Sequence, residues 1–230
     1  MRAHVCTRGA EAACPSRAQD AKTVVEMVAA EGAHCIALAG DASLADFGED
    51  AVRKTINAFG RIDILVNNAG VQYLHDSISN ITHKQLADTF AVNVYSAFFM
   101  TQAVLPHMRR GGAIINTSSV AAYKGRYDML DYAAAKGALI SFTYSLAQSP
   151  EILEKGIRVN AVAPGHTISP MVEATYSGDK ARGFGKDTPM GRPAQPEEIA
   201  PSFVFLASDI DSSFMSGQVL HPNGGMPVHG

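Results

Sequence analysis

Cysteine is scarce in this 230-residue chain: Cys6, Cys14 and Cys35 are the only three, and none forms a C-x-x-C pair. An odd number without paired spacing offers neither a disulfide framework nor a zinc knuckle, and it suits a reducing cytoplasm. His4 and His34 lie near these cysteines without ligand spacing, so no metal site is expected. Basic charge is not in excess either. Lys and Arg total 19 against 22 Asp and Glu, a formal net charge of −3, which gives no field for a phosphate backbone and excludes nucleic acid as an expected partner. No apolar run approaches the roughly 20 residues that span a bilayer. Met1 to Asp20 lacks the apolar stretch of a secretory signal, and no membrane association is expected. Neither an internal repeat nor a low-complexity linker divides the chain.

What is present is a globular composition, 47% hydrophobic and 18% charged. Short β-rich segments alternate with helical patterns, the signature of a parallel sheet covered on both faces. The expected strands are Cys35 to Leu38, Ile62 to Asn67, Ala113 to Thr117, Arg158 to Val162 and Gln218 to His221. The expected helices are Ala18 to Glu31, Leu44 to Phe59, Lys84 to Arg109, Tyr132 to Leu153 and Pro196 to Ala207. Ser43 and Thr82 stand where a side-chain oxygen caps a first turn, Pro196 suits a first helical position, and Gly32 and Gly60 stand where helices stop. Ser169 to Arg192, rich in Gly, Lys, Thr and Pro, is too long to be an incidental connection and reads as a mobile substrate lid.

Tyr132 and Lys136 are four residues apart in a helical pattern and therefore project from one face. A phenol ionises near pH 10, and a neighbouring ammonium stabilises the phenolate. Taken alone, Y-x-x-x-K also fits an exposed helical pair. Ser119 follows the apolar strand Ala113 to Thr117, at the end where ligands gather in open parallel sheets. Without the Tyr/Lys pair it would read as part of a polar turn. Asn67-Asn68-Ala69-Gly70 follows Ile64-Leu65-Val66 at another strand end, and Pro164-Gly165 repeats the arrangement after Arg158 to Val162, where glycine admits close backbone approach.

With these residues in order, from about Asp20 to Gly225, the chain resembles the short-chain dehydrogenase/reductase family. The resemblance rests on Asp41 after a strand, the Asn67 to Gly70 turn, Asn93, Ser119, Tyr132 with Lys136, Pro164-Gly165 and Gly224-Gly225. It implies an α/β, Rossmann-like, doubly wound parallel sheet in one catalytic domain, residues 21–230, that interconverts a carbonyl and an alcohol of a small-molecule substrate using NAD or NADP. Tyr132 would exchange the proton with the substrate oxygen, Ser119 would hold that oxygen, and Lys136 would lower the tyrosine pKa and bind the nicotinamide ribose. Asn93 would position a relay water. Asp41 would contact the adenine, Asn67 and Gly70 would line the cofactor, and Pro164, Gly165 and Thr167 would border the nicotinamide. A homo-oligomer, a tetramer by the same resemblance, is expected, with Ala97, Phe98, Ala138 and Phe142 at one interface.

The family's opening strand, G-x-x-x-G-x-G turn and helix have no counterpart here. Before Asp20 the only glycine is Gly9, so the sheet is expected to be N-terminally incomplete, with residues 1–20 a non-family segment and dinucleotide binding weak. The alternative reading is a catalytically silent or truncated paralogue serving as a structural subunit.

Overall fold

The computed structural model describes residues 15–176 and 182–228. The readings placed on the first fourteen residues, Cys6 and Cys14 among them, and part of the expected lid lie outside this range. Among the described residues four parallel strands form one sheet in the order β1-β2-β3-β4: β1 (Ile62–Asn67), β2 (Met108–Thr117), β3 (Arg158–Val162) and β4 (Val219–Leu220). Helices α1 (Pro15–Ala30), α2 (Ala45–Phe59), α3 (His83–Phe90), α4 (Ser96–Val104), α5 (Ala121–Lys124), α6 (Leu130–Ala147), α7 (Pro150–Lys155), α8 (Pro170–Thr175) and α9 (Pro196–Ala207) surround or follow it. This is the expected α/β class. Among the described residues no helix is long and apolar enough to cross a membrane.

Successive strand residues face opposite sides, and β2 shows the result. Ile114, paired with Leu65 and Val159, packs with Val52, Val104 and Ile152 on the α2, α4 and α7 side. Ile115 packs with Val162, Ile199 and Leu206 beneath α9. Both isoleucines are fully buried, each stabilising the fold by about 1.5–3 kcal/mol relative to exposure. On β3, the buried Arg158 donates to the Leu206 carbonyl and Ser212 Oγ, both at 2.8 Å, tying the sheet to the end of α9.

Four expectations need correction. Cys35 to Leu38 falls outside the four strands described. Lys84 to Arg109 is not one helix. It divides into α3, a π-helical turn at Ala91–Tyr95, α4 and a 3₁₀ turn at Leu105–His107, after which Met108 and Arg109 enter β2. Tyr132 to Leu153 is likewise two helices, since Pro150 begins α7 with its fixed φ at the first turn. Ser43 does not cap α2; Leu44 occupies that position, and Ser43 bonds Asp41 instead. Thr82 does cap α3, accepting from the Gln85 amide at 3.1 Å, and Gly60 closes α2 at φ 76°.

Candidate active site

The carboxyl ends of β1, β2 and β3 lie side by side because Asn67 is in register with Asn116, and Thr117 with Val162. The turns leaving β2 and β3 are joined. Ser118 N–H donates to the Val162 carbonyl at 2.7 Å, and Val120 N–H to the Pro164 carbonyl at 3.1 Å. Ser118 Oγ reaches the Lys136 carbonyl in α6 at 2.8 Å, which brings the face carrying Tyr132 and Lys136 to these strand ends.

Tyr132 and Lys136 are both buried. The Lys136 ammonium lies 5.6 Å from the centre of the Tyr132 ring and donates to the Thr117 carbonyl at 2.8 Å. Burial pushes the phenol up to about 12; the hydrogen bond with Ser119 acts in the opposite direction, and Tyr176 adds to the rise. Burial brings the ammonium down to about 8. Both shifts have the sign expected when a charged form loses its hydration.

Asn93 enters from the π-helical turn, where it is almost fully buried. Its Nδ2 donates to the Val71 and Thr89 carbonyls, both at 2.9 Å, while its Oδ1 is enclosed without a hydrogen-bond partner among the described residues. Gly70 touches both groups: a Cβ there would fall 2.9 Å from Asn93 Oδ1 and 3.4 Å from Lys136 Nζ. Gly70, Asn93, Ser119, Tyr132 and Lys136 are thus gathered in one place.

The other expected residues stand apart from this group in different ways. Asp41 accepts from both the amide and the hydroxyl of Ser43, closing a turn before α2. The Asn67 side chain is committed to the interior, donating to Asn116 Oδ1 at 2.9 Å and Thr101 Oγ1 at 3.3 Å. Gly165 lies against Asn223, whose Cα would be 2.7 Å from a Cβ at 165, and Thr167 Oγ1 turns back to the Gly165 carbonyl at 3.1 Å.

A nicotinamide dinucleotide fits the chemistry left over. A buried ammonium carries three protons, and Lys136 has one acceptor among the described residues. Asn93 Oδ1 and Thr117 Oγ1 are enclosed without partners there, and Gly70 and Gly165 keep the strand ends narrow. Beside Tyr132 lies a cavity of about 240 Å³, lined among others by Gln72, Ser119, Arg126, His166, Tyr176 and Asp187. Reasoning from sequence passed over Gln72, Arg126, His166 and Asp187. Of these, His166 carried a signal in its place directly after Pro164-Gly165, and Asp187 in its place within the expected lid Ser169 to Arg192.

A second group secures α6. The enclosed Asp131 carboxylate accepts from Thr89 Oγ1 at 2.8 Å, Gln85 Nε2 at 3.0 Å and the Tyr132 amide at 2.9 Å. His75 Nε2 lies 3.5 Å from it but accepts from Leu130 N–H at 3.0 Å.

The family model described as enoyl-(acyl carrier protein) reductase matches residues 3–227. The chain is 48% identical over 212 residues to the uncharacterized oxidoreductase YhxC of Bacillus subtilis, covering 92% of this chain and 73% of that one. It is 47% identical over 195 residues to the glucose and ribitol dehydrogenase of Daucus carota, covering 85% of this chain and 66% of that one. A short-chain dehydrogenase from Burkholderia cenocepacia, solved in complex with NADP, superposes with a TM-score of 0.83 at 30% identity, covering 96% of this chain and 86% of that one. The chain therefore belongs to the short-chain dehydrogenase/reductase family. It is an oxidoreductase of the kind that interconverts carbonyls and alcohols with a nicotinamide dinucleotide.

Proposed function

We propose that Tyr132 is the general acid and base of this oxidoreductase, acting on a small aldehyde or ketone, or the corresponding alcohol, in the cavity beside it. The observation that carries this reading is the buried Tyr132 and Lys136 pair at the strand ends, with Ser119 hydrogen-bonded to the phenol. In reduction Tyr132 Oη gives its proton to the substrate oxygen, and Ser119 Oγ holds that oxygen in reach. The Lys136 ammonium stabilises the phenolate that results, and its remaining protons bind the nicotinamide ribose hydroxyls. Asn93 Oδ1 holds a water through which the proton is restored. In alcohol oxidation the same groups work in reverse. The bound dinucleotide supplies or accepts the hydride.

Gly70, Pro164, Gly165 and Thr167 border the nicotinamide half, Asn67 contributes backbone at the end of β1, and Asp41 stands toward the adenine. NADP is the form bound by the Burkholderia protein, and NADP or NAD serves here. The working compartment is the cytoplasm, in keeping with a chain of three cysteines and no C-x-x-C pair. The working form is a homo-oligomer, a tetramer by family likeness, joined across α4 and α6. Phe98 and Phe142 stack there at 4.0 Å between centroids beside an apolar groove of about 840 Å³. Ala97, expected on that interface, is itself buried within the subunit.

Tyr132→Phe tests the central claim, since it removes the exchangeable proton and little else. Carbonyl reduction followed by NADPH absorbance is expected to fall at least about a hundredfold, the scale of general acid catalysis. A variant as fast as its parent would remove Tyr132 from the role.

A further inference from the structure

The cavity beside Tyr132 is small and mixed in character. At about 240 Å³ it is the size of a pocket for a small molecule rather than a groove for a polymer. Its formal charges cancel. Arg126 is held in a fork by Asp128, at 3.0 and 3.1 Å, and also donates to Tyr176 Oη at 3.1 Å, which leaves Lys124 and Asp187 as the remaining pair of opposite sign. Such a lining gives a charged substrate no net attraction, while offering hydrogen bonds to a neutral polar one.

His166 is the group best placed to make them. Its ring packs edge-on against Phe184, 4.9 Å between centroids at 85°, which fixes the plane of the imidazole. Nδ1 is enclosed, without a hydrogen bond among the described residues, and the nearest carboxylate oxygen is Asp187 Oδ1 at 3.9 Å. Nε2 is not among the enclosed atoms and has no hydrogen-bond partner among the described residues, so it is the edge of the ring open to a ligand. A nitrogen fixed in orientation by an aromatic neighbour and backed by a carboxylate discriminates between substrates, because a ligand lacking the matching group leaves it desolvated and unpaired.

We infer that His166 is a specificity residue of this enzyme, with Nε2 hydrogen-bonding a hydroxyl of a small, neutral, polyhydroxylated carbonyl compound or polyol while the charge of Asp187, 3.9 Å away, favours the proton on Nδ1. The inference rests on the reading that the reacting carbonyl enters beside Tyr132. The contact adds no new chemistry to the reaction. It sets which molecule presents its carbonyl to the tyrosine.

The test is a ratio. The purified protein, with NADPH held constant, is assayed on glyceraldehyde and on butanal, which are similar in size but differ in hydroxyl content, and kcat/KM for the first is divided by that for the second. His166→Phe is expected to lower this ratio about tenfold, chiefly through KM for glyceraldehyde, as loss of one hydrogen-bond partner predicts. His166→Gln, whose amide reaches the Nε2 position, is expected to keep most of the ratio, and Asp187→Asn to fall between. Equal loss on both aldehydes in His166→Phe, or a ratio that His166→Gln fails to restore, would overturn the proposal and leave His166 a packing residue. Binding of ribitol by ligand-observed NMR supplies a readout independent of turnover. Saturation transfer present in the parent and lost in His166→Phe supports the inference even if every aldehyde proves inert, a result that would remove the Tyr132 reading alone. Ribitol transfer that is absent from the parent, or equal in both proteins, overturns it.

Discussion

An ammonium held away from water costs stability, and Lys136 is such a group. Its pKa is brought down by burial to about 8 from an ordinary 10.5, so between those values the unfolded chain keeps a proton that the folded chain has shed. Stability to urea is therefore expected to rise with pH from about 8 toward 10.5. Tyr132 has the opposite sign. Raised to about 12 from 10.0, it contributes stability that is full below pH 10 and lost as pH climbs toward 12. The interval from about pH 8 to 10 thus isolates the lysine. Lys136→Met is expected to flatten the rise and to raise stability at pH 7 by at most roughly 3 kcal/mol, while abolishing carbonyl reduction. Urea unfolding at pH 7, 8 and 9 checks this; an unchanged slope would mean that the ammonium is solvated in the folded protein.

At the scale of elements, the placing of α6 depends on Asp131. Its carboxylate joins the first turn of α6 to Thr89 and Gln85 of α3, and the Thr89 carbonyl in turn receives Asn93 Nδ2. Tyr132 and Asn93 are therefore held by one chain of bonds. Asp131→Ala strands several buried donors and is expected to cost about 2–4 kcal/mol in urea unfolding, with a larger fall in kcat than change in KM. Asp131→Asn, which retains an acceptor oxygen, is expected to lose less; equal losses would show that the acceptor is irrelevant. Gly165→Ala is a second such case, because the turn after β3 presses on Asn223 of the turn after β4, and a Cβ would meet backbone at 2.7 Å. The expected cost is about 1–3 kcal/mol, read in the same way.

How much of this was legible in the sequence depends on distance along the chain. Tyr132 with Lys136, and the strand ends at Asn67, Thr117 and Val162, are short-range patterns whose periodicity survives folding. Asn67 illustrates the limit: its turn was visible, but its side-chain partners Thr101 and Asn116 come from elsewhere in the fold. His166 and Asp187 meet only because the connection after β3 loops back, with Thr167 bridging Ala194.

At the scale of the whole molecule, Tyr95 of the π-helical turn and Phe98 of α4 are exposed beside the half-buried Phe142 of α6, an aromatic surface that a monomer would leave wet. In the proposed homo-oligomer, burial of this face would make the outer surface of α6 part of the support for Tyr132. Phe142→Glu is expected to shift light scattering toward the monomer at micromolar concentration and to lower kcat with it. A variant with the parent's mass would place the interface elsewhere.

The wide turn at Ala91–Tyr95 behaves like a gearbox between two halves of one rod. An i to i+5 turn holds one residue more than an α-helical turn, so the residues beyond it are rotated by about 100° relative to their setting in an unbroken helix. That offset lets Thr89 bond Asp131 and Asn93 reach Val71 while Phe98 stacks on Phe142 and Thr101 meets Asn67. Removing a single residue within the turn would leave every side chain of α4 chemically intact and angularly wrong. The proposed catalytic arrangement, the proposed assembly face and the Asn67–Thr101 contact would then be disturbed together, although no residue of any of the three had been replaced.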